Sequence, residues 1–215
     1  FEGRYDDAIE AARELLQFKE NPAQMAAADG VGSARAQGWF AMLRALVQFE
    51  KWDAILAGEM LPVLARPRQE AWRHWARALA FANTDNAARA REELTLFDGA
   101  LSDYRARTRR ANPTELAVAR EELQAHLELA DGHTGRALKQ FEQASKAERR
   151  LVYTEPPYYP RPVAEPWGRA ALKANNARLS QRAFRIALEQ FPDDAHAKVG
   201  QALSPANSAA IAAAR

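Results

Sequence analysis

Gly3-Arg4-Tyr5-Asp6-Asp7-Ala8-Ile9 opens the chain, and Asp131-Gly132-His133-Thr134-Gly135-Arg136-Ala137-Leu138 repeats its pattern far downstream. In each, a turn residue is followed five positions later by a small alanine, where an apolar-periodic helix begins. Self-similarity of this kind marks a stack of helical hairpins, because one hairpin cannot bury its apolar face alone. The expected fold is therefore all-α, built from antiparallel helix pairs.

Composition agrees with that expectation. Of the 215 residues, 47% are hydrophobic and 27% charged, with a formal net charge of +2. Alanine is abundant and strand-type alternation of Val, Ile and Thr is nearly absent, which favours close-packed helices. No apolar run reaches the roughly 20 residues that cross a bilayer. The chain contains no cysteine, so disulfides, thiolate nucleophiles and cysteine-held metals are excluded. That does not fix the compartment; a cytoplasmic one is expected.

The first helix is predicted over 5–18, stopped by Asn21-Pro22, with a small-residue connection over 26–32. A helix over 36–49 turns at Glu50-Lys51-Trp52-Asp53 into a partner through Met60, whose end Pro62 and Pro67 bracket. A third helix, 69–82, turns at Thr84-Asp85-Asn86 into a partner over 87–97. An arginine-rich extension through Arg110 follows. Thr114 is the expected N-cap of a helix through Ala130, with its partner over 135–150. Residues 151–162 carry four prolines and are expected to be an extended proline-tyrosine insertion. A last pair spans 163–174 and 179–191, and Asp194 is placed to cap a helix over 195–203. The tail from Pro205 is expected to form a short helix or fray.

At these residues the chain resembles the tetratricopeptide repeat family. The last full pair matches best, with Gly168, Asn175, Ser180, Phe184, Ala187 and Pro192 in the family's places. A second match is Ala125, Gly132, Ala137, Phe141 and Ala144; a third is Ala78, Asp85, Ala90 and Leu94. A fourth is Trp39, Trp52 and Ile55, and Gly3, Tyr5 and Ala8 supply a second helix alone. The small positions Ala8, Ile55, Ala90, Ala137 and Ser180 are 47, 35, 47 and 43 residues apart, mostly longer than the family repeat. With the segment Glu155-Pro156-Pro157-Tyr158-Tyr159-Pro160, the chain is similar to a divergent bacterial branch of such proteins. The resemblance implies one right-handed superhelix over residues 1–215, a tetratricopeptide-like solenoid belonging to a longer protein. It also implies a non-catalytic scaffold that binds a peptide or partner protein, with no cofactor.

Carrying over the family's groove-facing positions points to Gln37, Phe40 and Arg44, then Trp72 and Trp75, Glu122 and His126, and Glu165 and Arg169. Aromatic anchors among a few charges suit a peptide groove. The plainer alternative is that Trp72 and Trp75 pack between helices. Tyr158 and Tyr159 are expected to cover a seam, with one tyrosine contributing to a pocket. Glu122, His126 and His133 offer a rival metal-dependent or enzymatic site, although their spacing is not that of zinc peptidases. No Gly-x-Ser-x-Gly elbow or phosphate-cradling glycine loop is present. The basic cluster Arg105, Arg107, Arg109 and Arg110, with Lys146, Arg149 and Arg150, suits solvated helix ends better than nucleic acid, since neighbouring acids nearly neutralise the chain.

Overall fold

The computed structural model describes residues 3–19, 32–152, 154–155, 157 and 159–204. Within them the chain forms ten α-helices and no strand. They are α1 Tyr5–Gln17, α2 Ala34–Gln48, α3 Trp52–Ala57, α4 Pro67–Asn83, α5 Ala87–Thr108, α6 Thr114–Ala130, α7 Thr134–Glu148, α8 Ala164–Lys173, α9 Ala177–Gln190 and α10 Ala195–Leu203. Chain neighbours pack on one another: α1 on α2, α4 on α5, and α8 on α9.

One link recurs four times. Residues 49–51, 84–86, 131–133 and 174–176 each join two helices in three residues. The middle residue is left-handed every time: Glu50, Asp85, Gly132 and Asn175, with φ of 51°, 56°, 76° and 56°. The third residue turns its N–H back onto the ending helix. Lys51 donates to the Leu46 carbonyl at 2.9 Å, Asn86 to Phe81 at 2.9 Å, His133 to Glu128 at 2.8 Å and Asn176 to Ala171 at 2.9 Å. This six-to-one bond is the Schellman closure, which satisfies carbonyls the helix leaves unpaired. The same third residue is the N-cap of the next helix. A link this short reverses the chain, so each one makes an antiparallel hairpin.

The fourth residue of each following helix is then carried into the core. Ile55 and Ala90 are 1% exposed, and Ala137 and Ser180 are fully buried. Gly3 has the same left-handed turn (φ 76°), but Ala8 is exposed, so the opening copy repeats the turn without the packing.

Several expected boundaries move. α3 stops at Ala57, where Gly58 is left-handed (φ 81°), so the partner helix does not reach Met60. Pro67 begins α4 at its first position instead of bracketing an end, because proline at N1 gives up only an N–H that is unpaired anyway. Thr114 is the first residue of α6 and not its cap. α5 does not end at Phe97. It runs to Thr108, because Phe97, Leu101 and Tyr104 keep the buried stripe going, and left-handed Arg109 closes it. The arginines on this stretch are exposed, with Arg105 and Arg107 in the last turn, where cations complement the helix dipole. Asp194 does cap α10, accepting the Ala197 N–H at 3.1 Å. Residues 21–31, Tyr158 and the tail from Pro205 lie outside the described residues.

The chain divides into two compact units at Leu123 and Gln124, inside α6. The first begins at Arg4. Its core holds Trp39, Leu43, Leu46, Trp72, Trp75 and Phe97, and the Trp39 indole donates to the Pro62 carbonyl at 2.9 Å. α1 and α2 approach closely at Gly38, where a β-carbon would sit 2.8 Å from the Leu16 nitrogen and 2.9 Å from the Ala12 carbonyl. The second unit is centred on Phe184 of α9. Its ring lies where β-carbons on Gly168 of α8 and Gly200 of α10 would stand, at 2.7 and 2.2 Å. Two glycines thus let α8 and α10 close over one buried ring.

Candidate functional site

Trp72 and Trp75 are 1% and 0% exposed, their rings edge to face at 5.1 Å. They are core residues of the first unit and present no face to a ligand, so the expected aromatic anchors are corrected to packing. The reason is helical phase: Trp72, Trp75, Ala76 and Leu79 fall on one stripe of α4, and all are buried. Phe40 is also buried, with the Arg68 guanidinium 5.9 Å from its ring centre. Gln37 and Arg44 are half-buried on α2. Burial pulls the Arg44 pKa below the ordinary arginine value, and no hydrogen bond or ion pair holds its guanidinium among the described residues.

Glu122 is fully buried, and His126 stands edge-on to Phe141 at 5.0 Å. His133 is exposed and its Nδ1 lies 2.9 Å from Glu128. These three do not gather as a ligand set among the described residues. In the proline-tyrosine stretch, Tyr159 and Arg161 are buried, consistent with a packing role.

The polar interior of the first unit is closed by ion pairs. Glu93 on α5 is 6% exposed and takes His74 Nδ1 on one oxygen and Arg77 Nε on the other, each at 2.7 Å. Burial pushes its pKa up, but the bonds from His74 and Arg77 outweigh that and hold it below the usual carboxylate range. Arg68 of α4 pairs with Glu115 of α6, both buried. Glu93, Arg68 and Glu115 each have a partner of opposite charge, as buried ions require.

The second unit holds a different arrangement. Glu165, the second residue of α8, is 1% exposed, and neither of its carboxylate oxygens makes a hydrogen bond. Its Oε1 lies 3.2 Å from Arg169 Nη2, one turn along the helix, and 3.4 Å from His196 Nδ1. Asp194 is fully buried; Oδ1 caps α10, and Oδ2 has no hydrogen-bond partner. His196 is partly exposed, its side chain 42% accessible. One potential ligand atom from each of Glu165, Asp194 and His196 lies within 4.8 Å of the others. Burial first, and the neighbouring Glu165 charge second, push the Asp194 carboxyl above its ordinary pKa.

Of this cluster, sequence reasoning named Glu165 and Arg169 as groove residues and missed its partners. In sequence Asp194 reads only as a cap, and His196 carries no role. The signal present is an Asp-x-His at a helix start, which carries no chemistry until packing sets it against Glu165. Comparison with protein-family models, curated proteins and solved structures finds no match.

Proposed function

We propose that this chain is a tetratricopeptide-like helical-repeat module that acts by binding a peptide or partner-protein segment, and not by catalysis. What supports the reading is the fourfold recurrence of one link: left-handed residue, combined closure and N-cap, then a buried residue at the fourth helical position. Repetition of one hairpin with changing surface residues is how solenoids present recognition surfaces. The residues assigned to contact are Gln37 and Arg44 of α2 in the first unit and Arg169 of α8 in the second, all half-buried. The buried tryptophans serve as scaffold.

A peptide-display library selected against the folded chain tests this. A recurring peptide should emerge that binds at about micromolar Kd in calorimetry. Arg44→Ala should weaken a peptide bound at the first unit, or Arg169→Ala one bound at the second, about tenfold, or 1.4 kcal/mol, with helix content unchanged. Enrichment no better than on an unrelated helical protein rejects the reading.

A further inference from the structure

We propose that Glu165, Asp194 and His196 form a binding site for one divalent first-row transition-metal ion. The fold brings two carboxylates together. Glu165 is fixed near the start of α8, and Asp194 is fixed as the cap of α10. Phe184, seated against Gly168 and Gly200, locks those two helices at close range. Buried like charges repel, and buried oxygens without hydrogen bonds are costly. A protein interior rarely keeps such a pair unless something completes it.

The pair is oriented as ligands are. Glu165 Oε1 lies at ion-pair distance from Arg169 and His196 without a hydrogen bond, and Asp194 Oδ1 holds the Ala197 N–H. Each keeps the other oxygen, Oε2 or Oδ2, buried and without a hydrogen-bond partner. Outer contacts that pin one ligand atom and leave its twin free are typical of metal-site supports. The imidazole adds a nitrogen donor from the solvent side, which also provides an entry path.

The donor set selects the ion. Two carboxylates with one imidazole suit manganese, iron, cobalt or zinc better than magnesium or calcium, which favour oxygen alone. At bond lengths of roughly 2.0–2.2 Å, two ligand atoms on one ion stand at most about 4.4 Å apart. The observed limit of 4.8 Å closes with small side-chain shifts. Three protein ligands leave coordination positions open. Arg169 is shared with the peptide-binding reading, but none of the three metal ligands is, so the two readings fail separately.

The test is calorimetric titration of the chelator-treated chain with MnCl2 and with ZnCl2, with MgCl2 as control. One ion per chain is expected for manganese or zinc. Glu165→Gln and Asp194→Asn should each weaken binding by on the order of 100-fold, and His196→Ala by about tenfold. His133→Ala, at a separate exposed histidine, should change nothing. Asp194→Asn keeps an oxygen for the Ala197 N–H, so it decides the matter if Glu165→Gln fails to fold. The metal should also raise the wild-type melting temperature by roughly 5 °C at a hundredfold excess over Kd, but not that of Asp194→Asn. Absence of stoichiometric binding, or binding unchanged in the carboxylate variants, overturns the proposal. So does a chain indifferent to metal whose stability rises in Glu165→Gln, which would assign the pair a shared proton.

Discussion

The α4–α5 and α8–α9 hairpins are built on the same link, yet they treat buried charge in opposite ways. At Glu93 both carboxylate oxygens are occupied, by His74 and by Arg77. At Glu165 and Asp194, buried oxygens remain without hydrogen bonds although Arg169 and His196 stand close. Identical backbone geometry therefore does not dictate identical chemistry. A closed network holds helices together; an open one has capacity left for something from outside. Single substitutions separate these roles.

The largest effect should come from the glycines that set helix spacing. Gly→Ala inside a helix ordinarily stabilises by about 1 kcal/mol. Gly38→Ala should instead destabilise by about 3 kcal/mol in denaturant melts, since the new methyl meets backbone of α1 and Leu15 Cβ at 2.6 Å. Gly200→Ala should be comparably harmful, but for a different reason. Its obstacle is the Phe184 ring, so Phe184→Leu should recover part of the loss, while no side-chain trimming rescues Gly38→Ala. Equal rescue in both, or none in either, would break the distinction between a backbone contact and a ring contact.

These glycines also show what was legible beforehand. Gly132 with Ala137, and Asn175 with Ser180, are local signals: a left-handed turn and a small fourth residue lie within six positions, so the hairpins could be seen in sequence. Gly168 and Phe184 were matched by resemblance, whereas Gly200 was not, because its role exists only once α10 folds back over α9. The full length of α5 is hidden in sequence because its arginine run masks the continuing stripe of Leu101 and Tyr104. Trp72 and Trp75 show the limit of periodicity, which finds an apolar face without saying whether helix or ligand covers it. Asp194 and His196 lie about thirty residues from Glu165 in sequence, and no spacing rule joins them.

Next in size is Glu93→Gln. The amide keeps one acceptor but removes the charge facing His74 and Arg77, and Arg77 retains its bond to the Leu56 carbonyl at 3.2 Å. A loss of about 2 kcal/mol is expected at pH 7. The pH dependence has a fixed sign. The folded pKa of Glu93 lies below its ordinary value, so its contribution is complete above the normal carboxylate range. It is lost as pH falls through the lowered folded value. Melting temperatures of wild type and variant should therefore differ at pH 7 and converge as pH falls below the ordinary carboxylate range. A difference that persists in acid would mean the network acts through packing and not through charge.

Smaller again are the caps. Asn86 and Asn176 accept the Arg89 and Leu179 N–H groups at 3.2 and 3.1 Å, while Lys51 and His133, at the same position, make no side-chain cap. Asn→Ala should cost about 1 kcal/mol at either asparagine, and His133→Ala much less. Equal costs at Asn86 and Asn176 would sharpen the comparison by showing that the two hairpins differ in their polar interiors and not in their frames.

The smallest effect is the most telling. Asp194→Asn in metal-free protein should change stability by less than about 0.5 kcal/mol, or raise it slightly. The amide oxygen still caps α10, and the lost charge had a like-charged neighbour in Glu165 and no hydrogen bond on Oδ2. Removing a buried carboxylate charge would then harm the first unit and spare the second. A loss at Asp194 as large as that at Glu93, measured by the same melts without metal, would show that this carboxylate is already held within the fold. The open cluster would then be one more closed network, and the contrast between the hairpins would disappear.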